Sequence, residues 1–248
     1  MVILADILQR QAVWRGGVPA APAEAAVPTG YGGLDAQLPG GGWPVGGLAE
    51  VLCHTEGIGE LQIVLPALAA LTAAGHRVAW LAPPHLPYAP ALRAAGVRLD
   101  RLTVIRAPGR RDALWAAEQA LRARSFHALL LWLPRAGYAE LRRLAVAAQA
   151  GPCFVLAFRP PEAACESSPA VLRLALEAGE GKLGTGEPRF PRYPFLAVQI
   201  LKRRGLPLAA PFPISIERPA FERPTRALGR APFSAAPAPG AVARACAA

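Results

Sequence analysis

The residues whose types and spacing come closest to doing chemistry lie in one loop, Cys53-His54-Thr55-Glu56-Gly57-Ile58-Gly59-Glu60-Leu61. The apolar run 48–53 leads into it and an apolar helical stripe follows it. That is the setting of a phosphate-binding loop, G-x-x-x-x-G-K-[ST] between a strand and a helix. In such a loop backbone N–H groups cradle the phosphates, Lys reaches the outer ones, and the Ser/Thr hydroxyl holds Mg²⁺. Gly57 and Gly59 supply the flexible backbone. The Lys-Ser/Thr pair, however, is replaced by Glu60-Leu61, or by Gly59-Glu60 in an ungapped register. Two unit charges 4 Å apart interact by about 4 kcal/mol at an effective dielectric near 20, so exchanging Lys⁺ for Glu⁻ turns an attraction into a repulsion of that order. Glu56, Gly57, Gly59, Glu60 and Leu61 therefore read as a vestigial phosphate loop, with no cofactor, no metal and no catalytic residue.

Other reactive side chains are scattered. Cys53, Cys153, Cys165 and Cys246 form no C-x-x-C pair, and the four histidines have no metal-ligand spacing to a Cys or carboxylate. The cysteines read as buried reduced thiols. The net charge of +10 comes almost wholly from arginine, with two lysines among 27 basic residues. It suits an acidic protein or nucleic-acid partner, although an Arg-, Ala- and Pro-rich chain also fits a GC-rich genome. No apolar run reaches the ~18–20 residues of a membrane span, and residues 1–14 lack a signal-peptide layout, so the expected location is cytoplasmic, away from membranes.

The elements that must hold the loop follow from hydrophobic periodicity. Leu4, Ile7 and Leu8 repeat at helical spacing and predict an amphipathic helix over 3–13 within a segment 1–14, a candidate docking arm on the Pro/Ala/Gly linker 15–28. From there to residue 218 one α/β core is expected. Strands are predicted over 48–53, 77–81, 102–105, 128–133 and 153–158, and helices over 60–74, 90–95, 112–122 and 138–150. Leu114, Ala117 and Leu121 mark the buried face of the third helix. Such alternation implies a mostly parallel sheet with helices on both faces. Three strands over 171–177, 195–203 and 213–217 lack helices between them and predict antiparallel strands at one edge. Residues 182–193 read as a loop, and 219–248, rich in Pro, Ala and Arg, as a disordered tail.

Residues 34–51, Leu-Asp-Ala-Gln-Leu-Pro-Gly-Gly-Gly-Trp-Pro-Val-Gly-Gly-Leu-Ala-Glu-Val, resemble the lead-in to the phosphate loop of the RecA recombinase family. Ala79-Trp80-Leu81-Ala82-Pro83-Pro84-His85, Pro87-Tyr88-Ala89, residues 92–101, Ile200-Leu201-Lys202-Arg203-Arg204 and Ala209-Ala210-Pro211-Phe212 continue the match, which spans about 29–217. The resemblance implies a RecA-like P-loop NTPase core. It also implies that the catalytic Glu is lost at Pro84, that the strand 129–133 lacks its Mg²⁺-binding Asp, and that Pro160 replaces the phosphate sensor. The DNA-holding loops are reduced to Pro134-Arg135-Ala136-Gly137 and 160–169. Lys202, Arg203 and Arg204 correspond to the turn that faces a neighbouring RecA-like protomer; a solvated basic turn is the alternative.

Among degenerate RecA relatives, Gly-Ile-Gly-Glu in place of the lysine motif, with Leu201-Lys202-Arg203-Arg204-Gly205, resembles the ImuA family of translesion-synthesis accessory proteins, itself related to SulA. That resemblance implies a non-catalytic role in the SOS DNA-damage response. Its partners would be an ImuB-like polymerase-related protein, an error-prone C-family DNA polymerase and RecA, with DNA contacted only indirectly. The alternative is a cell-division inhibitor like SulA, which shares the core and acts by protein binding; the Gly-rich lead-in 34–47 separates the two readings.

Overall fold

The computed structural model describes residues 25–54, 57–179, 195–204 and 212–215. Helix 1–14 with Leu4, Ile7 and Leu8, residue Glu56, the loop 182–193 and the tail 219–248 lie outside the described residues. The sequence read 15–28 as linker; within it Ala26–Val27 forms β1, antiparallel to β2 (Trp43–Pro44). Between them run a single helical turn, α1 (Gly32–Asp35), and a 3-10 turn Pro39–Gly41.

The main sheet contains β3 (Leu48–Cys53), β4 (Val78–Leu81), β5 (Leu102–Ile105), β6 (Ala128–Trp132), β7 (Phe154–Arg159), β8 (Leu172–Gly179), β9 (Phe195–Lys202) and β10 (Phe212–Ser215). Their order across the sheet is β10-β9-β8-β3-β7-β6-β4-β5. Strands β3 to β8 are mutually parallel, and β9 and β10 pair antiparallel. The expectation that all three late strands would be antiparallel is corrected for the first: β8 runs parallel to β3 because the connection from the end of β7, through the 3-10 turn Pro161–Cys165, returns the chain to the start of the sheet before it enters β8.

The helices are α2 (Leu65–Ala73), α3 (Ala89–Ala94), α4 (Arg110–Arg122) and α5 (Tyr138–Ala148). From β3 the chain steps outward to β4 and β5, then reverses inward to β6 and β7. Parallel crossovers are right-handed, so the reversal forces the helices to change face. The buried residues divide accordingly. Leu65, Leu68 and Leu92 pack with Val51, Trp80, Leu130 and Leu156 on one face. Ala117, Leu121, Leu141 and Leu144 pack with Leu48, Leu81, Leu129 and Val155 on the other. Alternate residues of β3, β4, β6 and β7 serve opposite cores, which is why these strands read as continuous apolar runs.

The helix expected over 60–74 begins only at Leu65. Residues 60–64 form turns, with Gln62 N–H donating to the Gly59 carbonyl and Val64 N–H to that of Leu61. Pro66 lacks an N–H and is tolerated only in a first helical turn, which it occupies. The helix start lies against the lead-in: Gly30 has φ +88°, and a Cβ there would stand 2.4 Å from the Pro66 Cβ. Thr29 donates through its backbone N–H (2.9 Å) and hydroxyl (2.7 Å) to Asp35 Oδ1, and Tyr31 donates its hydroxyl to the Gln62 carbonyl at 2.9 Å. The reading of the cysteines is corrected in part: Cys153 is buried, its thiol pushed up to about 12 by burial, but Cys53 is half-buried, and Cys165 is exposed and disulfide-bonded.

At the N-terminal end of β4 and β6, His76 and His127 stack with ring centroids 3.8 Å apart. Burial, and then the charge of His76, hold His127 below its ordinary value of 6.5. A depressed base means that the unfolded chain takes up a proton first. Stability contributed here is therefore complete above pH 6.5 and falls as pH drops below it, until folded His127 is itself protonated. Chemical denaturation between pH 7.5 and 5 is expected to show this decline, and His127→Phe is expected to flatten it.

Candidate functional site

β3 is the central strand that carries the loop. It ends at Cys53, and the chain then turns through Gly57 and Gly59, whose φ values of +83° and +105° favour glycine. Exposed backbone N–H groups in such a turn form an anion-binding concavity. Here the anion comes from the chain itself. The Glu60 carboxylate accepts the Gly57 N–H at 3.0 Å and the Gly59 N–H at 3.2 Å. Gly57, Gly59, Glu60 and Leu61 are thus brought together, with Glu60 folded back onto the two glycine amides.

Among the described residues, no cluster of His, Cys, Asp or Glu could hold a metal ion. Trp132 ends β6, where the resemblance called for a carboxylate, and its ring stacks on Phe158 of β7 at 5.0 Å and meets Trp80 of β4 at 5.5 Å. Pro84 is exposed in the loop after β4, two strands beyond β7 in the sheet order.

Lys202, Arg203 and Arg204 do not gather at this loop. Lys202 pairs in register with Arg173 at the start of β8, so the basic turn leaves the sheet from the opposite end. Lys202 Nζ donates to the Ser168 carbonyl at 2.8 Å, and Arg203 Nη1 donates to the Gln37 carbonyl, tying the turn to the lead-in. Both residues thus hold their own chain together, and Arg204 is exposed.

Sequence reasoning missed an ion network inside the sheet. Glu50 of β3 is wholly buried. Its Oε1 accepts from Arg159 Nη1 at 3.0 Å and its Oε2 from Arg173 Nε at 2.6 Å, and both arginine side chains are at least nine-tenths buried. Arg159 also donates to the Ala136 carbonyl and to Glu166, while Arg173 donates to the carbonyls of Ala163, Ala164 and Glu166. The signal was Glu50, Arg159 and Arg173, each an ionisable residue within or at the end of a largely apolar run, which demands partners. Beside the network an open cleft of about 600 Å³ is lined by Tyr138, Glu166, Ser167, Ser168, Arg173 and Lys202.

Comparison with known proteins gives one family: residues 46–154 match Cell division inhibitor SulA. The cell division inhibitor SulA of Edwardsiella piscicida is 37% identical over 83 residues, 34% of this chain and 49% of that protein. The chain thus spans about half the length of the curated relative it matches, and the family match runs from just before β3 to the first residue of β7.

Removing one member of the buried network strands the charges of the others, at a cost of about 3–5 kcal/mol. Urea denaturation of Glu50→Ala should show a loss of that size. Glu166→Ala, whose carboxylate is more than half exposed, should cost less than about 1 kcal/mol. The stretch 46–154, from just before β3 to the start of β7, is thus SulA-like in sequence.

Proposed function

We propose that this chain is a RecA-like protein without ATPase activity that acts in the cytoplasm by binding another protein, as a division inhibitor of the SulA type produced in the response to DNA damage. The observation that carries this reading is the Glu60 carboxylate seated on the Gly57 and Gly59 amides. A bound triphosphate would have to displace that anion and sit beside it, with no lysine to offset the repulsion. The similarity to SulA over 46–154 supports the direction of the reading.

A second reading is favoured by residues outside the matched stretch. The lead-in organised by Thr29, Tyr31 and Asp35, and the extension β8–β10 with Lys202-Arg203-Arg204 at the end of β9, fit a translesion-synthesis accessory protein of the ImuA type. Its partners would then be an ImuB-like protein, an error-prone C-family polymerase and RecA.

Two experiments test these readings. Titration with a fluorescent ATP analogue and Mg²⁺ should show no saturable binding at millimolar nucleotide; micromolar, Mg²⁺-dependent binding would overturn the inactive site. Low-level expression in undamaged bacteria should produce filaments if the chain inhibits division. Normal division, combined with loss of damage-induced mutagenesis when the gene is deleted from its own host, would instead select the second reading.

A further inference from the structure

Helices α4 and α5 lie side by side on one face of the sheet, bridged by Arg110 with Glu140 and by Arg143 with Glu118 at 2.7 Å. Their outward faces set large apolar side chains among arginines. On α4, Arg111, Trp115, Gln119 and Arg122 are all exposed and follow one another at intervals of four, four and three residues. On α5, Tyr138, Arg142 and Val146 are exposed at intervals of four. Each sequence is a single stripe along its helix. Trp115 is 65% exposed, Tyr138 50% and Val146 54%.

The charges on this face are one-sided. The two bridges consume Glu118 and Glu140 internally. Arg111, Arg122, Arg142 and Arg135, the last in the loop before α5, make no ion pair among the described residues. Asp112 is the remaining exposed acid on these helices. Large apolar side chains alternating with unpaired arginines are the composition of a binding centre, where Trp, Tyr and Arg dominate the energy.

We propose that the outward face of α4 and α5 is a docking surface for an acidic amphipathic helix of a protein partner. Such a helix would seat apolar residues against Trp115, Tyr138 and Val146 and place carboxylates opposite Arg111, Arg122 and Arg142. Two side-by-side helices with stripes at helical spacing match a third helix, which packs at an axial distance of about 8–10 Å. A single-stranded nucleic acid fits less well, since it needs a track of cations with π-faces between them, and Val146 offers none. The proposal rests on the reading that the chain works by protein binding, and it names the chemistry of the partner.

The test uses the full chain and a fluorescent helical peptide with leucines on one face and glutamates on the other. A Leu/Lys peptide and an oligo-dT strand serve as comparisons. Fluorescence polarisation should show binding of the glutamate peptide and none of the lysine peptide. Trp115→Ala, and Arg111→Glu with Arg142→Glu, should each weaken binding at least about tenfold while the circular dichroism spectrum is unchanged, since these side chains are exposed. Equal binding by the variants, no binding of the glutamate peptide, or tighter binding of oligo-dT would each overturn the proposal. Division arrest that persists when peptide binding fails would remove this surface while leaving the protein-binding reading in place.

Discussion

The Glu50 carboxylate, buried in the middle of the sheet, constrains more of this molecule than any other group. A lone charge there would be prohibitively costly, so its two oxygens must each find a cation. Arg159 arrives from β7 and Arg173 from β8, one from each strand beside β3. Their remaining N–H groups need acceptors in turn, and they find them in the Ala136 carbonyl before α5 and in the carbonyls of the turn Pro161–Cys165 and of Glu166. One buried acid therefore ties together the three parallel strands β7, β3 and β8 and pins two connecting loops to the sheet. Such a network is worth most when every member is satisfied and becomes a liability when one is removed.

β3, which carries Glu50, also delivers the loop of Gly57, Gly59 and Glu60, and the two features obey the same rule. The Gly57 and Gly59 amides form a small electropositive concavity that wants an anion. With Glu60 in the chain the anion is covalently supplied, and the loop closes on itself. The stack of Trp80, Trp132 and Phe158 brings apolar rings toward the ends of neighbouring strands. The lead-in reaches this region through Gly30 against Pro66 and Tyr31 on the Gln62 carbonyl, and so holds the start of α2 in place.

What could be read from the sequence was what depends on near neighbours. The strands around 48–53, 102–105 and 128–133 announced themselves as short apolar runs, and the helices of 110–122 and 138–148 as stripes at helical spacing. The start of α2 was misjudged because the apolar stripe begins at Leu61, while the backbone cannot become helical until Pro66 fits its first turn. The parallel course of β8 was hidden because strand direction is set by where the preceding connection ends. The ion network was invisible for a stronger reason: Glu50 lies 109 residues from Arg159 and 123 from Arg173, so no local pattern joins them. The site residues show the same division. Glu60 was legible by its place in a motif, whereas the roles of Lys202 and Arg203 depend on Ser168 and Gln37, which only the folded sheet brings near.

The topology also separates two surfaces. The chain changes direction after β5, and right-handed crossovers place α2 and α3 on one face and α4 and α5 on the other. The loop of Gly57, Gly59 and Glu60 belongs to the first layer. The stripes of Trp115 and Tyr138 belong to the second, whose inner faces are committed to Ala117, Leu121, Leu141 and Leu144. An apolar side chain exposed on such a helix buries little of its surface in the fold, because the core side of the helix is already full. Because the inner faces of α4 and α5 are committed to the core, the composition of their outer faces is set by neither the sheet nor the loop.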